Sequence, residues 1–117
     1  ATQGEEILKD MLDTDEGARH LGEVALVGDD SPISQMGLLF RNTLFDENAA
    51  CHFALGSAYA ENHVRGKDMT KEEKREAGIN HSITHIDFMV GGPDLQVTGV
   101  KADGMLVPLL VDGNWVE

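Results

Sequence analysis

His85 and Asp87 stand two residues apart in the run from Ile83 to Val90, whose apolar and β-branched content marks a strand, so both side chains project from one face. An imidazole beside a carboxylate on a half-buried face suits metal ligation or acid–base work. The plainer alternative is a histidine hydrogen-bonded to a carboxylate on a wet sheet face, and a short His-x-Asp match does not separate the two. Ile83 and Met89 flank the pair, so its face is not simply a solvent face. The opposite face, Thr84, Ile86, Phe88 and Val90, is expected to be the core side.

Four further residues have types that extend this chemistry. His52 falls in the run Cys51 to Leu55, on the side shared with Ala54 and Gly56, where small neighbours leave room beside the ring. Glu23 alternates with Ala25 and Val27 on a small, apolar face, and a carboxylate is costly to bury there unless paired or metal-bound. Glu47 lies in the acidic turn Asp46-Glu47-Asn48 that delivers the His52 strand. Tyr59, the single tyrosine, either donates a hydrogen bond, ligates a metal or is an ordinary half-buried aromatic. Mixed N/O donors suit Zn, Co or Mn without any thiolate. Such a set can hold two ions about 3.5–4 Å apart that activate one water. Each histidine taken alone reads more readily as structural than as a ligand. His20, His63 and His81 sit in polar contexts and read as surface residues. Cys51 falls on the apolar side of its strand and reads as an inert core thiol.

The elements that must position these residues follow from the pattern of the chain. Thr2-Gln3-Gly4-Glu5 has the form of a capping box, and Ile7, Leu8, Met11 and Leu12 share one face, which predicts a helix over 3–12. A helix so near the first residue is what a piece cut at a domain boundary would show. A strand is expected over 22–27, stopped by Gly28-Asp29-Asp30 and Pro32. Residues 31–45 show no clean period. Thr70-Lys71-Glu72-Glu73 is a second capping box with Gly78 as the C′ residue, and the helix between lacks an apolar face, which places it on the surface. Beyond Gly91-Gly92-Pro93 the runs 95–101, 105–111 and 114–116 are separated by Ala102-Asp103-Gly104 and Asp112-Gly113, which are hairpin signals. The expectation is one α+β domain over 1–117, with largely antiparallel or mixed sheet, a few short helices and a C-terminal β-meander.

Composition narrows the class of partner. Nine Lys and Arg against 21 Asp and Glu leave a net charge of −12 on 117 residues, and 41% hydrophobic content suffices for a modest core. That charge argues against nucleic acid and anionic membrane surfaces, both of which are bound through Lys and Arg. No apolar run approaches the roughly 20 residues of a membrane span, and the acidic start lacks the pattern of a signal peptide. One cysteine excludes an internal disulfide and fits a reducing, cytoplasmic setting.

Three long stretches carry a family resemblance: Leu12–Leu26 (LDTDEGARHLGEVAL), Ser31–Gly56 (SPISQMGLLFRNTLFDENAACHFALG) and Thr84–Gly91 (THIDFMVG), with the ending ADG…GNWV. The sequence resembles the C-terminal part of the thermophilic-type metalloaminopeptidases, the aminopeptidase T / aminopeptidase S family. The resemblance implies a co-catalytic peptidase that uses two divalent ions to remove N-terminal residues from peptides, working as a homodimer. Glu23, Glu47, His52, Tyr59, His85 and Asp87 then match the family's metal-site positions, with Glu23 and Tyr59 also placed in catalysis. Members of that family are much longer and supply another glutamate ligand from upstream. The chain is therefore expected to be a C-terminal, site-bearing piece that is inactive alone. The competing expectation is a non-catalytic metal-binding or dimerisation domain.

Overall fold

The structure, a computed structural model, describes residues 3–117, with the backbone alone at position 44. It is an α+β arrangement of two small antiparallel sheets and a few short helices. In chain order the elements are α1 (Glu5–Leu12), β1 (Leu21–Ala25), α2 (Pro32–Met36), α3 (Thr43–Glu47), β2 (His52–Gly56), α4 (Lys71–Glu76), β3 (His85–Met89), β4 (Val97–Val100), β5 (Leu106–Val111) and β6 (Asn114–Trp115). One sheet has the order β1-β2-β3 and the other β4-β5-β6. Chain contacts define two compact units, one made of residues up to Val24 with Phe53–Asp87, the other of Ala25–His52 with Phe88–Glu117.

Polar ties organise the first unit. The Asp15 carboxylate accepts from the Ala18 amide at 2.9 Å, which caps the 3₁₀ turn Glu16–Arg19. Its other oxygen accepts from the Ser82 hydroxyl at 3.1 Å and the Ile83 amide at 2.8 Å, close to the start of β3. Gly56, at φ +104, lies against the next strand, and a Cβ built there would stand 2.2 Å from the Thr84 carbonyl oxygen. Only glycine fits that approach. The capping box at Thr70 and Glu73 is formed in full, and Gly78 takes the left-handed C′ conformation. As expected, α4 lies on the surface. At α1 the N-cap is Gly4 in the left-handed region with no side-chain cap, so the helix starts two residues later than predicted. Thr2, the other half of the expected capping box, lies outside the described residues.

In the second unit the meander is as predicted. β5 and β6 are joined by Asp112-Gly113, both with positive φ, in the two-residue hairpin that this pair favours. β5 accommodates Pro108 because the β6 register covers only Leu110 and Val111, while the β4 register shifts between Val97 and Thr98. Leu110 and Cys51 are fully buried, and the Cys51 sulfur both accepts from the Val27 amide and donates to its carbonyl, each at 3.1 Å. The thiol is buried on the apolar side, where the sequence places it.

Two expectations need correction. Residues 31–45, which show no period, contain α2 and most of α3; both are single turns set by local caps, too short to display amphipathic spacing. Ser31 caps α2 by accepting from the Ser34 amide, with Pro32 at the first helical position. Asp46 accepts from the amides of Phe40 and Asn42 at 2.7 and 3.1 Å, so Asp46 and Glu47 belong to α3 rather than to a turn. The second correction concerns β3. Phe88 and Val90, expected on the core side, are 42% and 40% exposed, whereas the Asp87 side chain is only 13% exposed. Coverage follows position along the strand rather than its face: His85, Ile86 and Asp87 are half-buried, where hydrogen-bonding and charged partners are gathered, and Phe88, Met89 and Val90 are exposed.

Asp15 is held below its ordinary value, chiefly by the Ile83 amide and against the opposing effect of burial, with Ser82, Ala18 and Gly17 adding to the lowering. A depressed folded-state value means stability that is present above the unfolded value and lost as pH falls through the folded one. Asp15→Asn is expected to lower the melting temperature near neutrality, and the gap to wild type should close below about pH 4. A gap that persists undiminished in acid would refute the assignment. Gly56→Ala is expected to destabilise the protein by roughly 1–3 kcal/mol in denaturant titration, since Ala must both adopt positive φ and displace Thr84.

Candidate metal centre

β3 supplies two of the donors directly. The two-residue period puts His85 and Asp87 on one face, and the imidazole Nε2 lies 3.2 Å from Asp87 Oδ1. Glu23, in the middle of β1, brings its Oε2 to 3.2 Å from the same nitrogen. The three side chains are 20%, 13% and 21% exposed, so the charges are largely withdrawn from water. His85 Nε2 and Asp87 Oδ1 are buried atoms that make no hydrogen bond of acceptable geometry. Such atoms, gathered without hydrogen bonds, are an arrangement that a cation would satisfy.

The other ring nitrogen explains the orientation. His85 Nδ1 is 2.7 Å from the Ser57 carbonyl oxygen. A carbonyl can only accept, so Nδ1 carries the proton and Nε2 of the neutral ring presents its lone pair to the carboxylates. His52, 1% exposed, repeats the device: its Nδ1 lies 2.9 Å from the Ala50 carbonyl, which leaves Nε2 as the basic nitrogen. Histidines that ligate metals are characteristically fixed in this way, with one nitrogen donating to a carbonyl or carboxylate. Burial works against a charged His85, but the Ser57 carbonyl and the charges of Asp87 and Glu23 outweigh it, and the imidazole is pushed above its ordinary value. The site favours positive charge at this point.

One ligand atom from each of Glu23, His52 and Asp87 also lies within 4.8 Å of the others. Two carboxylates at that separation repel by about 3 kcal/mol or more at an effective dielectric of 20, so a cation here has a large electrostatic role. Tyr59 is 49% exposed, and its ring centroid lies 5.1 Å from that of His85. Glu47 closes α3, is half-buried, and lies outside the group formed by Glu23, His52 and Asp87. The structure thus gathers Glu23, His52, His85 and Asp87 in overlapping groups, with Tyr59 against one member. His20, His63 and His81 are exposed, as expected. The sequence reading missed the two backbone carbonyls that orient the imidazoles; no side-chain pattern announces them. N/O donors with oriented Nε2 atoms and partly buried carboxylates fit a divalent ion such as zinc.

A family model described as Thermophilic metalloprotease (M29) matches residues 1–115. Aminopeptidase AmpS of Bacillus subtilis (strain 168) is 56% identical over 115 residues, covering 98% of this chain and 28% of that protein. Aminopeptidase T of Thermus aquaticus is 54% identical over 116 residues, covering 99% of this chain and 28% of its own length. Among solved structures, wild-type AmpT from Thermus thermophilus superposes with a TM-score of 0.84 at 50% identity, covering 98% of this chain and 28% of that one. The chain therefore spans a little over a quarter of the length of these relatives. Matched from residue 1 to 115, it belongs to the thermophilic metalloprotease (M29) family.

Proposed function

We propose that this chain is the site-bearing, C-terminal part of a metal-dependent aminopeptidase that hydrolyses the N-terminal residue from peptides. Membership of a metalloprotease family implies divalent ions. We take their number as two and their identity as Zn, Co or Mn. The observation that carries the reading is the pair of overlapping groups, Glu23–His85–Asp87 and Glu23–His52–Asp87, which share both carboxylates and so suit two cations. Relatives named as aminopeptidases, of which the chain covers 28%, support the peptidase assignment and the need for further chain. Large apolar side chains left on the surface, among them Ile7, Leu39 and Ile83 at 68%, 76% and 81% exposure, support a covering partner, which we identify with the remainder of the aminopeptidase chain. Homodimer formation and a cytoplasmic setting complete the reading; the buried free thiol of Cys51 accords with a reducing compartment. No helix among the described residues is long and apolar enough to cross a membrane.

In this reading Glu23, His52, His85 and Asp87 hold the metal, with Glu47 and Tyr59 as additional ligands. Bound divalent ions supply Lewis-acid polarisation of the scissile carbonyl and a water of lowered pKa. The chain's own residues do the rest. The carbonyl-bound Nδ1 atoms keep both imidazoles in the tautomer that offers Nε2. The carboxylates attract the α-ammonium of the peptide, which selects a free N-terminus. A carboxylate at the site, with Glu23 and Glu47 the candidates within this chain, would take a proton from the attacking water and return it to the leaving amine. Tyr59, half-exposed beside the His85 ring, offers a phenol for a hydrogen bond to the substrate.

Replacing His52 by Ala together with Asp87 by Asn in the intact aminopeptidase is expected to weaken metal binding by more than about 100-fold, beyond the loss typical of an outer partner. Metal content after gel filtration, read by atomic absorption alongside circular dichroism for the fold, checks this. Unchanged metal content would remove the ligand assignment. The 117-residue chain supplied with Co²⁺ or Zn²⁺ is expected to release little or no leucine from a chromogenic anilide. Sustained turnover would show that no segment outside this chain is required.

A further inference from the structure

We propose that Asn80 is a positioning residue for the His85 imidazole, a role that rests on the reading of His85 as a metal ligand. The side-chain amide Nδ2 of Asn80 donates to two backbone carbonyls, that of Gly17 at 2.8 Å and that of Gly56 at 2.6 Å. Both neighbours are acceptors, so the nitrogen of the amide must face them. The backbone carbonyl of Asn80 accepts from the Ala58 amide at 3.0 Å. Asn80 therefore grips the chain on either side of Ser57, by its side chain at Gly56 and by its backbone at Ala58.

Ser57 is the residue that faces His85. Its amide donates to the Thr84 carbonyl at 2.7 Å, and its own carbonyl accepts from His85 Nδ1 at 2.7 Å. The direction of that carbonyl decides which ring nitrogen is protonated and where Nε2 points. Gly56 passes through this point at φ +104, a conformation with little intrinsic preference to hold the next peptide in one orientation. Asn80 supplies the restraint. Neither Asp nor Ala can take this role: Asp would set a carboxylate against two carbonyl oxygens, and Ala removes both N–H donors. Asn80 touches no reacting atom, so it acts on the site only through Gly56, Ser57 and His85.

The test compares Asn80→Ala and Asn80→Asp with wild type in the full chain, labelled with ¹⁵N at histidine and measured at alkaline pH, where the rings are neutral. In wild type the His85 shifts should report a protonated Nδ1 and a basic Nε2. In both variants the tautomer should become mixed, and Zn²⁺ affinity, read by competition with a chromophoric chelator, should fall about 10–100-fold. His52, whose Nδ1 rests on Ala50, is the internal control and should not move. A folded variant that melts earlier but keeps the His85 tautomer and Zn²⁺ affinity would overturn the proposal, since that is what a purely structural role predicts. Should neither variant fold, wild type still decides: the Asn80 side-chain amide protons must exchange slowly, and exchange at the rate of a free amide overturns the proposal. Failure of the ligand reading is separable, because His85→Gln would then retain Zn²⁺ affinity while the Asn80 variants still altered the tautomer.

Discussion

The Ser57 carbonyl accepts the Nδ1 proton of His85, and the character of the site depends on that bond. With the proton committed to one side of the ring, a basic nitrogen is left 3.2 Å from two carboxylate oxygens. Lone pairs and negative charges then meet in a region mostly shielded from water, where repulsion is poorly screened. Such a cluster is stable only with a cation at its centre, whether a proton or a metal. The raised proton affinity of His85 is the same preference expressed through the proton. A chain of −12 net charge places part of its excess where it attracts cations.

Several features of the fold serve this arrangement. β1 and β3 carry the carboxylates on rigid backbone, and β2 delivers His52 at its first residue. Ala54 follows on the same side of β2 as His52, and both are buried. Gly56 permits a close approach to Thr84 that any Cβ would block. Asp15 ties the residues before β3 to the turn that precedes β1, through Ser82 and Ile83. These ties are polar, and they hold the segment that leads into the strand carrying His85 and Asp87.

The relatives put scale on the molecule. Identity of 50–56% runs along almost all of this chain and over 28% of each protein compared. Large apolar side chains of α1 and of the segment before β3, among them Ile7 and Ile83, are exposed. The exposure of Phe88 and Val90 at the end of β3 departs from what a sequence pattern implies. A sequence pattern ranks residues by polarity, and by that ranking Phe88 and Val90 belong inside. In the structure His85 and Asp87 are largely covered, with Glu23 beside them, while Phe88 and Val90 stay exposed.

Much of the fold was legible in the sequence. Period-two runs marked β1, β2 and β3, Asp-Gly marked the last hairpin, and a capping box marked α4, because each is written in residues close along the chain. The single-turn helices α2 and α3 were not legible, since one turn shows no period. Residue type and family resemblance were enough to select Glu23, His52, His85 and Asp87. Their convergence was decided by the tertiary structure alone, because spacing along a strand fixes which face a side chain takes but not what stands opposite. The carbonyls of Ser57 and Ala50, which give each imidazole its tautomer, belong to the backbone. Every residue carries such a carbonyl, so only the folded chain determines which two are aimed at a histidine.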